Sequence, residues 1–326
     1  MREQRGIEAS FGWIFSLIVG ATIVVLAIIA VKEFVTLERK VQQTLSAQEV
    51  VIWLTATQSE QEAGSVPRNL TFPALTRLNI LCSSEGVFGA QELTLATHSG
   101  IGEPWQRAGV PARFSQNYVF MQEQAEGKNF LILVKPVHLP YAIGDAITLF
   151  SEKYCFVAPP AEVENDVALL QVSGGQGTIT SVASVEQCPR NSTNVCFIDE
   201  GSGARSNCKI VVDTRTKSVT SAGGQRVMYE DGLTIAAIVS SPALYRCQSE
   251  RMFKRSAELA RLYQKKSELV AAATNGCSAV MQQELEAYEA LARNASASRI
   301  ATVWEQARQL ARSNPAACPL WAAGMK

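Results

Sequence analysis

The chain has 326 residues, roughly two domains' worth, with 30 Lys+Arg against 30 Asp+Glu and 47% hydrophobic residues. That balance excludes a disordered acidic tail and a basic nucleic-acid binder, so no nucleic-acid partner is expected. The apolar content is uneven: one unbroken stretch lies near the start, and all eight cysteines fall outside it.

From Phe11 to Val31 no residue is charged, and 21 helical residues at about 1.5 Å each match the ~30 Å hydrocarbon core of a bilayer. A transmembrane helix over 11–31 is expected, because the run is too uniform for a core helix and longer than the apolar region of a cleaved signal. The flanking charges, Arg2 and Arg5 before and Lys32, Arg39 and Lys40 after, weakly favour a cytoplasmic C-terminus. Eight cysteines without a C-x-x-C pair, and sequons at Asn69, Asn191 and Asn294 that predict glycosylation, favour an oxidising exterior. The reading adopted is a single-pass protein of the cell membrane with its C-terminal part extracellular.

Residues 1–10 read as a short basic leader. Arg5-Gly6, standing before Ile7-Glu8 and the apolar run, resembles the class III leader of type IV pilins and archaeal pilin-like proteins, in which a prepilin peptidase cuts after a basic-Gly pair. The resemblance implies cleavage between Gly6 and Ile7, and a homo-oligomer or filament built through residues 11–57. Glu8 departs from it, standing second in the mature chain where pilins carry Glu fifth. Ser10–Ser16 is similar to the start of uncharacterised single-span surface proteins of small-genome archaea. That likeness covers about the first 60 residues and implies no activity.

Beyond the span, Phe34, Leu37, Val41, Leu45 and Val51 or Ile52 recur at helical spacings, and no Gly or Pro occurs from Ala21 to Glu62. A helical stem over 32–62 is predicted, in which one helix from about Ser10 to Thr57 stands roughly 40 Å out of the bilayer. Its stripe suits either packing on the ectodomain or self-association. From 67 to 245 the sequence predicts a β-rich ectodomain. Candidate strands are Leu78–Cys82, Tyr118–Gln122, Phe130–Lys135, Lys153–Val157, Ala168–Val172, Thr178–Val182, Val195–Ile198, Lys209–Asp213, Arg226–Tyr229 and Leu233–Val239. A sub-boundary is expected near 158–166, at Ala158-Pro159-Pro160. Over 246–326 the spacing turns helical, with stripes at Met252–Val270, Met281–Leu291 and Ile300–Leu310, which predicts an antiparallel hairpin or three-helix bundle. The fold class is therefore α+β. From Cys247 onward the chain carries 11 Lys+Arg and 7 Asp+Glu, an excess that a solvated helical surface explains.

The cysteines read as disulfide staples. An up-down-up helix arrangement places Cys277 and Cys318 at one pole, so those two are expected to pair. Cys82 and Cys155 each close a strand and are expected to bridge neighbouring strands. Of Cys188, Cys196 and Cys208, two are expected to pair and the third to reach Cys247.

No chemistry stands out. Two histidines, His98 and His138, serve the whole chain, and no H-E-x-x-H, G-x-S-x-G, Walker or dinucleotide motif occurs. Ser206-Asn207-Cys208-Lys209 matches S-x-x-K without its companion motifs and reads as a turn. Glu162, Glu164, Asn165 and Asp166 could offer oxygens to a calcium ion, but lack EF-hand spacing and read as an exposed linker. The expectation is a non-enzymatic structural or adhesive surface protein without cofactor, metal or catalytic residues. The alternative is a membrane-tethered receptor or an accessory subunit of a cell-surface complex.

Overall fold

A computed structural model describes residues 12–32, 66–98, 105, 109–114, 117–175, 177–198, 207–230, 232–274 and 281–322. The leader, the stem, Cys277 and Ser206 lie outside these residues. The first described element is helix α1 (Gly12–Lys32), whose mean hydropathy is 3.0.

Two six-stranded sheets follow. The first contains β1 (Val66–Ser83), β2 (Ala90–His98), β3 (Ala112–Phe114), β4 (Tyr118–Phe120), β5 (Gln124–His138) and β6 (Ala142–Phe150), in the order β3-β2-β1-β5-β6-β4. All its pairs are antiparallel except β4 with β6. β1 is long enough to pair in two registers along β5, with a shift between Thr71 and Thr76. Pro73 lies inside that shift, where its missing N–H leaves no gap in the ladder. In β5 the run Phe130–Val134 has no polar member because both faces are covered. Phe130, Ile132 and Val134 join one core, while Leu131 and Leu133 join another.

The sheet curls until β2 meets β4. The Gln91 side chain of β2 donates to the Val119 carbonyl at 3.3 Å and accepts from the Val119 N–H at 3.4 Å. A side-chain amide thus stands where a further strand would pair, and it satisfies an otherwise open edge. Leu78, Ile80, Leu93, Val119, Phe130, Ile132 and Leu149 fill the interior.

The second sheet has the order β12-β11-β10-β9-β7-β8. Its strands are β7 (Tyr154–Val157), β8 (Ile179–Val182), β9 (Thr193–Ile198), β10 (Ile210–Asp213), β11 (Ser218–Thr220) and β12 (Arg226–Met228). The strands β8, β7, β9 and β10 run parallel, and β11 and β12 close the sheet as an antiparallel meander. Helix α2 (Ala161–Leu170) forms the β7–β8 crossover, so Ala158-Pro159-Pro160 marks the passage from strand into helix. Every residue of β7 is buried, as expected of a parallel strand covered on both faces. On one face Tyr154 and Phe156 meet the main core. On the other, Cys155, Val157 and Cys196 pack against Val182, Val185, Cys188 and Cys208, so disulfide-tied loops do the covering.

The chain ends in helices α3 (Thr234–Val239), α4 (Pro242–Ala273), α5 (Met281–Arg293) and α6 (Ile300–Ser313). Ser241 caps α4, its hydroxyl accepting from the Leu244 N–H, and Pro242 occupies the first turn, where its lacking N–H costs nothing. Polar pairs set α5 antiparallel to α4: Arg293 with Glu258 at 2.7 Å, Gln264 with Glu289 at 2.9 Å and Gln282 with Glu268 at 3.0 Å. The three predicted helical stripes thus correspond to α4, α5 and α6. One core runs from both sheets through Met252, Phe253, Leu285, Tyr288, Val303 and Trp304 of these helices.

Several expectations are corrected. Ala168–Val172 is not a strand but the end of α2 and the irregular turn after it. Val163, Val167 and Leu170 are buried at helical spacing, a period the short apolar run conceals. Leu233–Val239 is not a strand either. It is α3 with the residue before it, buried at every position, and a run whose one polar member, Thr234, is itself buried has no period to read. Glu162 to Asp166 form a helix, not a linker. Strands β2, β3, β6 and β11 were not among the candidates. The cysteine pairing differs too: Cys82 joins Cys247 and Cys155 joins Cys188, while Cys196 joins Cys208. Strand-to-strand bridges were expected for Cys82 and Cys155, but helix and loop layers on the sheets supply their partners. Cys318 is disulfide-bonded; its expected partner Cys277 lies outside the described residues.

Candidate functional site

Two buried polar clusters hold α4 against the first sheet. Arg251 and Gln248 are fully buried. The Arg251 guanidinium donates to Gln248 Oε1 at 2.7 Å, to the Asn117 carbonyl at 3.2 Å and to the Phe88 carbonyl at 3.4 Å. It also lies 5.5 Å from the centre of the Tyr118 ring. Gln248 passes the network on, donating to the Val119 carbonyl at 3.0 Å. Burial pushes Arg251 down to about 10, so it stays charged at neutral pH. In the second cluster Ser256 donates to the Leu139 carbonyl, Ser256 and Tyr288 share a hydrogen bond of 2.7 Å, and Tyr141 donates to the Ser256 carbonyl at 2.5 Å. This fixes the β5–β6 turn to α4 and α5. Both clusters are built from neutral groups and one cation that point inward, an arrangement that rigidifies the body.

The acidic cluster on α2 is neutralised from within. Lys135 of β5 meets Asp166 at 2.6 Å and Glu162 at 3.3 Å, and Glu162 also accepts from the Gly232 N–H at 3.2 Å. Burial raises the Asp166 carboxyl, with Lys135 opposing that shift. Two of the three acidic oxygen donors considered for calcium therefore serve a lysine. Glu230 does similar work, tying Lys217 at 2.9 Å to Arg308 of α6 at 3.5 Å. Among the described residues no group of three His, Cys, Asp or Glu side chains could hold a metal ion. His98 stacks edge-on against Trp105 at 5.3 Å. His138, partly covered at the end of β5, is held below the usual histidine value by burial. The two histidines fall in separate places and are not joined in one constellation.

Two apolar features stand out on the surface of the described residues. The larger is α1, where no residue is buried, so its whole circumference of Ile, Val, Leu, Phe and Trp side chains is unpartnered. Its length and composition suffice to cross a membrane. The smaller is a groove of about 310 Å³ on α4, where Phe88 from the β1–β2 connection faces Leu259 and Leu262 between Arg255, Arg261 and Lys265. Three disulfides tie the sheets and α4, as suits an oxidising compartment.

The sequons are set differently. Asn191 lies in a turn with φ 66° beside the buried Ser192. Asn294 follows α5 and donates to the Ala290 carbonyl at 3.0 Å, and Asn69 sits within β1 opposite Leu131. In the parallel sheet the chain reverses its direction of growth between β7 and β9, where ligands of open parallel sheets gather; the residues that follow β9, 199–206, lie outside the described part. No family model, curated protein or solved structure matches the chain.

Proposed function

We propose that the chain is a non-enzymatic, membrane-anchored protein of the cell exterior, with α1 crossing the bilayer once and the disulfide-tied body outside in a structural or adhesive role. The observation that carries this reading is the contrast between α1, apolar and uncovered throughout, and a body whose large apolar side chains are nearly all buried. Exposing α1 to water would cost about 25 cal/mol for each Å² of apolar surface, which a bilayer removes. Disulfides and sequons support the exterior assignment. The Arg5-Gly6 leader supports a pilin-like subunit, matured at Ile7 and assembling through residues 11–57. Mass spectrometry of the mature N-terminus tests this part: the expected chain starts at Ile7, and one starting at Met1 contradicts leader processing.

A second reading, an accessory subunit of a surface complex, draws on the exposed Phe88–Leu262 groove. Gentle detergent extraction separates the two. Self-cross-linked ladders through residues 11–57 favour the subunit of a polymer, while a monomer that brings down one distinct partner, lost in Leu262→Asp, favours the accessory role.

A further inference from the structure

A pocket of about 250 Å³ opens where β12, the first turns of α4 and the turn before α6 converge. Its polar lining is Arg226, Arg246, Glu250, Ser296 and Ser298, over a floor that includes Met228 and Tyr245. The arginines come from different elements and are fixed by their neighbours. Arg226 donates to Thr216 Oγ1 at 2.8 Å, and Arg246 donates to the Arg226 carbonyl at 3.2 Å. Neither guanidinium forms an ion pair among the described residues, and neither does Glu250 one turn further along α4. Arg77, Arg113, Arg293 and Arg308 by contrast each meet a carboxylate. Two guanidiniums with spare donors therefore line one small pocket.

We propose that this pocket binds a single acidic sugar, a monosaccharide unit carrying a carboxylate. Guanidiniums match a planar carboxylate with two parallel N–H donors. Ser296 and Ser298, joined by a 2.8 Å hydrogen bond in which either can donate, and the acceptor Glu250 suit ring hydroxyls. The apolar floor suits the C–H face of a sugar ring. Inorganic phosphate would use the arginines alone, leaving Glu250 opposed to it and the floor unused. The volume falls below the ~300 Å³ at which pockets begin to take drug-sized ligands, a size that suits one sugar ring. The assignment stands on the pocket alone and does not require the membrane reading.

Titration calorimetry of the full chain in neutral detergent, with glucuronate, glucose and inorganic phosphate as probes, tests it. The expected result is saturable one-site binding of glucuronate, weakened at least about tenfold for glucose. Arg246→Gln and Arg226→Gln should each weaken it about tenfold or more, while Arg312→Gln on the far part of α6 leaves it unchanged. Arg246→Lys, which keeps the charge and loses the fork, should fall between, and an unaltered melting temperature shows the variants to be folded. Absence of saturable glucuronate binding, equal binding in Arg246→Gln, or phosphate bound more tightly than glucuronate would each overturn the assignment.

Discussion

Arg251 shows how single residues set this structure. Its guanidinium reaches three acceptors from inside the body, and Gly89 makes room for it: a Cβ there would lie 2.8 Å from Arg251 Cγ and 2.4 Å from the Ser83 carbonyl. Gly89 also has φ +60°, so Gly89→Ala should cost about 2 kcal/mol through backbone conformation and crowding together. Arg251→Met keeps the unbranched stem but removes the guanidinium with its donors, leaving its acceptors unpaired and its space empty, so it should cost about 3–4 kcal/mol. Urea unfolding followed by near-ultraviolet circular dichroism checks both. His138 gives a pH signature. Burial holds its folded value below the ordinary 6.5, so the unfolded chain takes up the proton first as pH falls. Its contribution is complete above that ordinary value and is lost on acidification toward the folded one. Between about pH 7 and about pH 5 the urea midpoint should fall less steeply in His138→Gln than in the native chain.

At the scale of elements, legibility followed periodicity. The helices α4, α5 and α6 and most parallel strands could be read because their patterns are long or flanked by turns. α3 could not, because a segment covered on all sides loses the polar residues that mark its period. β6 is hidden differently: its last six residues are all buried, the polar Asp145 and Thr148 included, so burial there does not follow polarity. The acidic stretch on α2 reads as solvated until Lys135, from a strand about thirty residues earlier, is brought against it. Arg226 and Arg246 carry no local signal at all, since only the packing of α4 beside β12 joins them. Disulfide pairing was equally hidden, because Cys82 and Cys247 stand 165 residues apart. That span makes a prediction. Closing a loop of that length restricts the unfolded chain more than the 12-residue separation of Cys196 and Cys208, so Cys82→Ser/Cys247→Ser should cost about 5 kcal/mol against about 3 kcal/mol for Cys196→Ser/Cys208→Ser. Denaturant midpoints of the two double variants test the order.

For the whole molecule, a curled sheet and a parallel sheet share one core with the C-terminal helices, and the polar clusters turn inward to lock those layers. Among the described residues the chain carries one long apolar helix, disulfide staples and small surface recesses. The zero net charge of the chain conceals that arrangement, since the acidic α2 cluster is matched internally while the arginines of the α4–β12 pocket are left for a ligand. The structural or adhesive role outside the cell depends most on where the disulfide-tied body resides. Alkylation of intact cells with a membrane-impermeant maleimide, with and without reductant, followed by mass mapping of the cysteines, addresses that directly. With the body outside, no cysteine is labelled without reductant, and the partly exposed Cys82, Cys188, Cys208, Cys247 and Cys318 are labelled after reduction, while Cys155 and Cys196 stay covered by the fold. If those five partly exposed cysteines stay inaccessible to the impermeant reagent after reduction, yet react as free thiols once the cells are opened, the body is inside and the exterior assignment is contradicted.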